Sequence, residues 1–62
     1  MKTFFDRTPV EQAIIREAYN FEIRAIEEED PSPNPFFEII KIMEDGKEVW
    51  DAINFAIELA CN

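Results

Sequence analysis

The sequence predicts an all-α fold, a single domain over residues 1–62 with three helices at about residues 9–30, 35–45 and 47–61. In the first and last of these stretches, apolar residues recur at intervals of three and four, which is the helical period. Neither stretch contains a glycine, and a cluster of prolines stands between them. Because glycine and proline punctuate helices, this pattern predicts two long helices joined through a shorter middle element.

Residues 1–7, MKTFFDR, form a lead-in segment that either folds back over the first helix through its two phenylalanines or stays extended. The first helix begins at Thr8, because Thr8 and Glu11 have the spacing of a capping box, in which each side chain bonds the backbone N–H of the other residue. Pro9 suits the first helical position, where an N–H would have no partner. The helix ends before Pro31, because proline disfavours the helical conformation in the residue before it.

The first helix carries apolar residues on two sectors of its surface. One sector is a core-facing stripe of five residues: Val10, Ile14, Ala18, Phe21 and Ala25. The other sector holds four more: Ile15, Tyr19, Ile23 and Ile26. Either the fold wraps both sectors, or one of them meets a partner or a second copy of the chain, since large exposed apolar patches usually mark binding sites.

Four consecutive carboxylates end this helix, at residues 27–30, where the helix dipole is already negative. This run is either a solvated helix end or an acidic contact patch for a partner. Residues 31–35, PSPNP, contain three prolines and predict a stiff connector of polyproline type. The second helix is then expected to have Asn34 as its N-cap and Pro35 as its first residue.

Residues 36–45, FFEIIKIMED, allow two interpretations. Four apolar residues fit helical spacing: Phe36, Ile39, Ile40 and Met43. In the helical interpretation, Gly46 closes the element as a left-handed cap. The high content of isoleucine and phenylalanine favours a strand instead. The alternative fold class is therefore α+β, with a hairpin over residues 36–50 that turns at Asp45 and Gly46 and lies between two helices.

Residues 47–61 form the predicted third helix, whose apolar stripe contains five residues: Val49, Ile53, Ala56, Ile57 and Ala60. Phe55 falls near the charged residues, outside this stripe. It is therefore a candidate exposed aromatic contact, although single exposed apolar residues are also ordinary on protein surfaces.

The chain has 14 acidic and 6 basic residues, a net charge of −8. Such a surface repels nucleic acid and anionic membranes, both of which need a basic face on the protein. A larger basic protein or nucleoprotein complex is the complementary partner, because opposite potentials steer association. The sequence has no apolar run of the length that a signal peptide or a membrane span requires. A cytoplasmic protein is therefore expected.

Catalytic groups are scarce, so the chain is predicted not to be an enzyme. There is no histidine, the only serine stands between prolines, and Cys61 lies at the C-terminal end of a helix, where the dipole disfavours a thiolate nucleophile. Asp30, Ser32 and Asn34 have the spacing of a calcium loop, but that loop needs glycine where this chain has proline and glutamate where it has lysine. No catalytic residue, metal ligand or cofactor is predicted.

The leading hypothesis is a small non-catalytic binding protein that blocks a basic surface of a larger nucleic-acid-handling protein or complex. Mimicry of nucleic acid is one form of this hypothesis. Apolar anchors and an acidic rim make up the expected contact surface: Tyr19, Glu22, Ile23, Glu27, Glu28, Glu29, Asp30 and Phe55. One alternative is a self-assembly module that forms a homodimer. The other is an antitoxin-like subunit that neutralises a basic toxin.

In size, acidity and lack of catalytic groups the chain resembles the small accessory proteins encoded by bacteriophages and mobile elements, including anti-CRISPR and anti-restriction inhibitors. This resemblance lies in composition and in no motif, so it assigns no role to any residue. It implies an inhibitor that acts in the cytoplasm of a bacterial host cell.

Overall fold

The computed structural model describes residues 2–61, and the N-terminal Met1 and C-terminal Asn62 lie outside the described part. It contains three α-helices, α1 (Pro9–Glu27), α2 (Phe37–Lys41) and α3 (Gly46–Cys61), preceded by one 3₁₀ turn at Phe4–Asp6. The predicted three-helix, all-α fold is confirmed. Residues 2–61 contain no strand, so the alternative hairpin is wrong. Of the four apolar residues at helical spacing, Phe36, Ile40 and Met43 belong to or pack against the core, whereas Ile39 is exposed.

The start of α1 has the predicted capping box. The Thr8 hydroxyl accepts a hydrogen bond from the backbone N–H of Glu11 at 3.2 Å, and the Glu11 carboxylate accepts one from the backbone N–H of Thr8 at 3.2 Å. The lead-in folds back on this helix rather than staying extended. The side-chain amide of Gln12 donates to the carbonyl oxygens of Phe4 and Arg7, at 3.2 and 3.0 Å. Phe4 is half-buried there, whereas Phe5 is exposed.

The C-terminal end of α1 comes earlier than predicted, at Glu27 instead of residue 30. Glu29 adopts a left-handed conformation with φ 53°. Its N–H donates to the carbonyl of Ile26 at 3.2 Å, and the N–H of Asp30 donates to the carbonyl of Ala25 at 2.8 Å. These two bonds form a Schellman motif, which satisfies the last carbonyls of the helix. A glutamate occupies the position that is usually glycine, and the sequence therefore gave no sign of this stop.

Asn34 organises the start of α2, which begins at Phe37, two residues later than predicted. Its side-chain oxygen accepts from the backbone N–H of Phe36 at 2.9 Å, so it caps a turn that precedes the helix. Its side-chain amide donates to the carbonyl of Ala18 at 2.9 Å. Asn34 is buried, and this second bond fastens the connector to the middle of α1.

Gly46 is not the left-handed cap that the sequence predicted. No glycine among the described residues has a positive φ, and Gly46 is the first residue of α3. It is buried where the backbone of α3 passes the end of α2. A Cβ atom at Gly46 would overlap the carbonyl oxygen of Ile40 and would lie 2.9 Å from that of Lys41. Close approach of two backbones, rather than a special backbone angle, is what requires glycine here.

The core lies where the three helices meet. Its buried members are Ala18, Ile40, Val49, Ile53 and Ile57. Partly buried residues from both apolar sectors of α1 pack against this core: Ile14, Ile15, Tyr19 and Ile23. The inner face of α1 therefore runs along the boundary between the two predicted sectors. Val10, which the sequence assigned to the core, is exposed in the first turn.

Candidate partner-binding surface

The structure brings three of the predicted contact residues, Tyr19, Ile23 and Glu27, to one groove. Tyr19 and Ile23 lie one turn apart on α1, half-buried and packed against the core. Together with Glu27 they line a groove of about 600 Å³, which we call the Ile23 groove. The end of α3 forms its opposite wall, at Ala60 and Cys61. The groove at the C-terminal half of α1 thus combines apolar side chains with two carboxylates, Glu17 and Glu27, and one cation, Arg24.

The other predicted carboxylates surround the end of α1. Glu22, Glu29 and Asp30 line a second depression that also includes Ile26. Glu28 and Asp30 line a third, smaller one. Carboxylates therefore face outward on several sides of the helix end rather than on one flat patch.

The run at residues 27–30, called the acidic run below, is exposed along its whole length. Hydrogen bonds from Ser32 lower the pKa of Asp30, and the one from the Ser32 backbone N–H measures 3.0 Å. Within residues 2–61 the salt bridges join Arg7 to Glu11 and Asp45, and Lys47 to Asp51. None involves the acidic run, so in the described part of the chain its four charges are not offset by a paired cation.

Phe55 lies apart from the other predicted contact residues. It follows the buried Ile53 by two positions, and two residues of a helix turn the side chain by about 200°. It is 62% exposed on the outer face of α3 and lines neither of the depressions beside the acidic run. One turn further along, Leu59 is exposed on the same side. Phe55 and Leu59 thus form a separate apolar strip.

No pattern in the sequence pointed to Arg7, which is the buried charge of the molecule at 6% exposure. Its guanidinium forms a two-pronged ion pair with the Asp45 carboxylate, one prong being Nη1 to Oδ1 at 3.3 Å. Nη1 also lies 3.7 Å from an oxygen of Glu11. The contact joins the lead-in to the turn before α3 across 38 positions of sequence. The spacing of four between Arg7 and Glu11 is common in sequences and gives no indication of the contact with Asp45.

The Arg7–Asp45 ion pair makes the stability of the folded protein depend on pH. The hydrogen bond from Arg7, aided by its positive charge, lowers the pKa of Asp45 below its ordinary value of 3.8. A carboxylate with a lowered pKa in the folded state stabilises the fold above its ordinary pKa, and that contribution is lost as the pH falls through the folded-state value. We therefore expect the melting temperature to fall with acidification below about pH 4.

Asp45→Asn is expected to make this acid dependence shallower and to lower the melting temperature at neutral pH, because the amide keeps the shape but not the charge. Thermal unfolding followed by circular dichroism from about pH 3 to pH 7 measures both effects. Asp51→Asn is the matched control, since Asp51 pairs with Lys47 on an exposed stretch of α3. Equal acid dependence in wild type and Asp45→Asn would show that the buried ion pair is not the source.

None of the described helices combines the length and apolar composition needed to cross a membrane. Across residues 2–61, no group of three or more cysteine, aspartate or glutamate side chains converges in the manner of a metal site. Comparison with protein-family models, with curated proteins and with solved structures found no match to this chain.

Proposed function

We propose that this chain is a small acidic, non-catalytic binding protein that blocks a basic surface of a larger nucleic-acid-handling protein or complex. The observation that carries the proposal is the acidic run, exposed at the end of α1 beside the Ile23 groove. With a net charge of −8 on 62 residues, the molecule is attracted to a basic surface over a long range. Opposite charge raises the rate of encounter and disfavours acidic partners.

Apolar contact must supply most of the affinity, since exposed ion pairs contribute only about 0–1 kcal/mol each. Interface energy is concentrated in a few aromatic and aliphatic anchors surrounded by polar residues. Tyr19 and Ile23 have this relation to Glu27, because they form the floor of the groove that Glu27 borders. We assign them the role of anchors and the acidic run the role of steering.

The basic surface is one that otherwise holds nucleic acid. Carboxylates held around a helix end can form ion pairs with cationic side chains of the partner that would otherwise contact phosphates. A direct complex of this chain with nucleic acid is not part of the proposal, because both would be strongly negative. An antitoxin-like subunit uses the same chemistry and differs only in the identity of the basic target.

The experiment compares two variants that change the net charge equally, by four. The first neutralises the acidic run: Glu27→Gln, Glu28→Gln, Glu29→Gln and Asp30→Asn. The second neutralises four exposed carboxylates on α2, α3 and the turn between them: Glu38→Gln, Glu44→Gln, Glu48→Gln and Glu58→Gln. Immobilised wild type captures a basic protein from a bacterial lysate, and mass spectrometry identifies it. The association rate constant of that purified protein is then measured with all three chains at two salt concentrations.

Neutralising the acidic run is expected to reduce the association rate about tenfold at low salt and to flatten its salt dependence, because steering falls with the charge that faces the partner. The matched variant should stay much closer to wild type. If the two variants lose rate equally, net charge alone acts and the acidic run is not a contact patch. If nothing basic is captured and light scattering shows a concentration-dependent dimer, the self-assembly module replaces this proposal.

A further inference from the structure

A separate groove lies between α1 and α3, on the side covered by the lead-in. Its volume is about 350 Å³, which falls within the range of small-molecule sites in proteins. Its apolar lining comes from the lead-in and from both helices: Phe4, Ile15, Tyr19, Val49, Ile53 and Ala56. We call it the α1–α3 groove.

The α1–α3 groove is positively charged, although the molecule as a whole is negatively charged. Its lining includes Lys2, Arg7 and Arg16, which are three of the 6 basic residues, and it includes none of the 14 acidic ones. The three depressions that hold predicted contact carboxylates have the opposite balance, each with two or three acidic residues and at most one basic residue, Arg24.

Two of these cations are available to a ligand. Arg7 is buried and paired with Asp45, whereas Lys2 and Arg16 are exposed. Neither takes part in a salt bridge within residues 2–61. The guanidinium of Arg16 lies 5.9 Å from the centre of the Phe4 ring, a cation–π contact that places it at the margin of the apolar lining. The groove thus has an apolar floor and a positive edge.

We propose that the α1–α3 groove binds a small anionic amphiphile, a single-chain carboxylate of the fatty-acid class. The hydrocarbon chain lies on the apolar floor, and the carboxylate pairs with Arg16 and Lys2. Arginine suits this role, because its planar guanidinium can bond both oxygens of a carboxylate. A small anion without a chain gains no apolar contact, and the overall negative charge of the protein repels it. This inference concerns a ligand site that shares only Tyr19 with the Ile23 groove, and it does not rest on the proposed function.

Decanoate is the probe, used below the concentration at which it forms micelles. Titration of isotope-labelled protein, followed by nuclear magnetic resonance, gives the dissociation constant and the residues that respond. We expect shifts at Ile15, Tyr19, Ile53 and Ala56. Decyltrimethylammonium has a similar chain and the opposite charge. We expect it to bind at least about tenfold more weakly than decanoate, because losing two exposed charge contacts lowers affinity by about a factor of ten. Acetate, which lacks the chain, should cause no shifts in the groove.

Two pairs of variants locate the site. Lys2→Gln with Arg16→Gln should weaken decanoate binding about tenfold, whereas Lys41→Gln with Lys47→Gln, which changes the net charge equally elsewhere, should not. Ala56→Phe should fill the groove and abolish binding, while Ala13→Phe on an exposed part of α1 should leave it intact. Circular dichroism verifies that each variant is folded.

Three results would overturn the proposal. The first is equal affinity for decanoate and decyltrimethylammonium, which would indicate apolar adsorption without recognition of charge. The second is decanoate binding that survives the Lys2 and Arg16 substitutions unchanged. The third is binding that appears only when micelles form. Should Ala56→Phe fail to fold, the charge pair of variants still decides the question, because both of its residues are exposed.

Discussion

Ile40→Ala is expected to leave the protein largely unfolded at physiological temperature. Ile40 is the one large side chain among the described residues that is wholly buried, at 0% exposure, and it comes from a helix of only five residues. Truncating a buried isoleucine to alanine costs about 2–5 kcal/mol, through lost burial and the cavity left behind. A single core in a domain this small supplies about 3–5 kcal/mol of net stability. The substitution therefore removes most of the available margin.

Urea unfolding followed by circular dichroism measures the effect as a shift of the midpoint. Ile42→Ala is the matched control, because it removes the same atoms from a side chain that is 84% exposed, two residues away. That variant should change stability by less than about 0.5 kcal/mol. Similar midpoints for the two variants would mean that α2 does not anchor the core.

Gly46→Ala is the second substitution with a large expected effect on stability. Whether it stabilises or destabilises the protein distinguishes two physical causes. Gly46 is the first residue of α3 and has no positive φ, so helix propensity alone favours alanine, by less than the value of about 1 kcal/mol that applies in a helix interior. The added Cβ atom, however, would overlap the Ile40 carbonyl oxygen, and the Lys41 carbonyl oxygen would be 2.9 Å away. Both are backbone atoms, so α2 and α3 must move apart. Overpacking of this kind costs about 1–3 kcal/mol or more, and we expect net destabilisation.

The melting temperature of Gly46→Ala compared with that of Asn54→Ala tests this expectation. Asn54 is an exposed residue in the interior of α3, where alanine improves helix propensity without meeting another backbone. Asn54→Ala should therefore be neutral or slightly stabilising. A higher melting temperature for Gly46→Ala would show that the contact between α2 and α3 is looser than the structure indicates.

Features of the fold that depend on neighbours in sequence were predictable. Thr8, Pro9 and Glu11 specify the start of α1 by local hydrogen bonding, and the structure has that cap. The end of α1 was not predictable, because Glu29 adopts a conformation that usually requires glycine. For Gly46 the residue type signalled a special position, but two different physical causes, a left-handed angle and a close backbone contact, produce the same signal.

The candidate site also has some features that the sequence could predict and others that it could not. The helical period predicted that Tyr19 and Ile23 share one sector of α1, and the same spacing of four places Glu27 on that side of the helix. The wall that α3 contributes to the Ile23 groove depends on how the helices cross, which periodicity does not specify. The positive edge of the α1–α3 groove could not be predicted from the sequence. Lys2 and Arg16 come together only because the lead-in folds back.

The ion pair between Arg7 and Asp45 links two parts of the molecule that do not touch each other. Asp45 does not line the α1–α3 groove, yet through Arg7 it holds the lead-in that supplies Phe4 to that groove. Any molecule that rests against Phe4 favours the docked lead-in and, by thermodynamic reciprocity, favours the ionised form of Asp45. Because Arg7 lines that groove and also pairs with Asp45, proton binding at Asp45 and occupancy of the groove are expected to oppose each other.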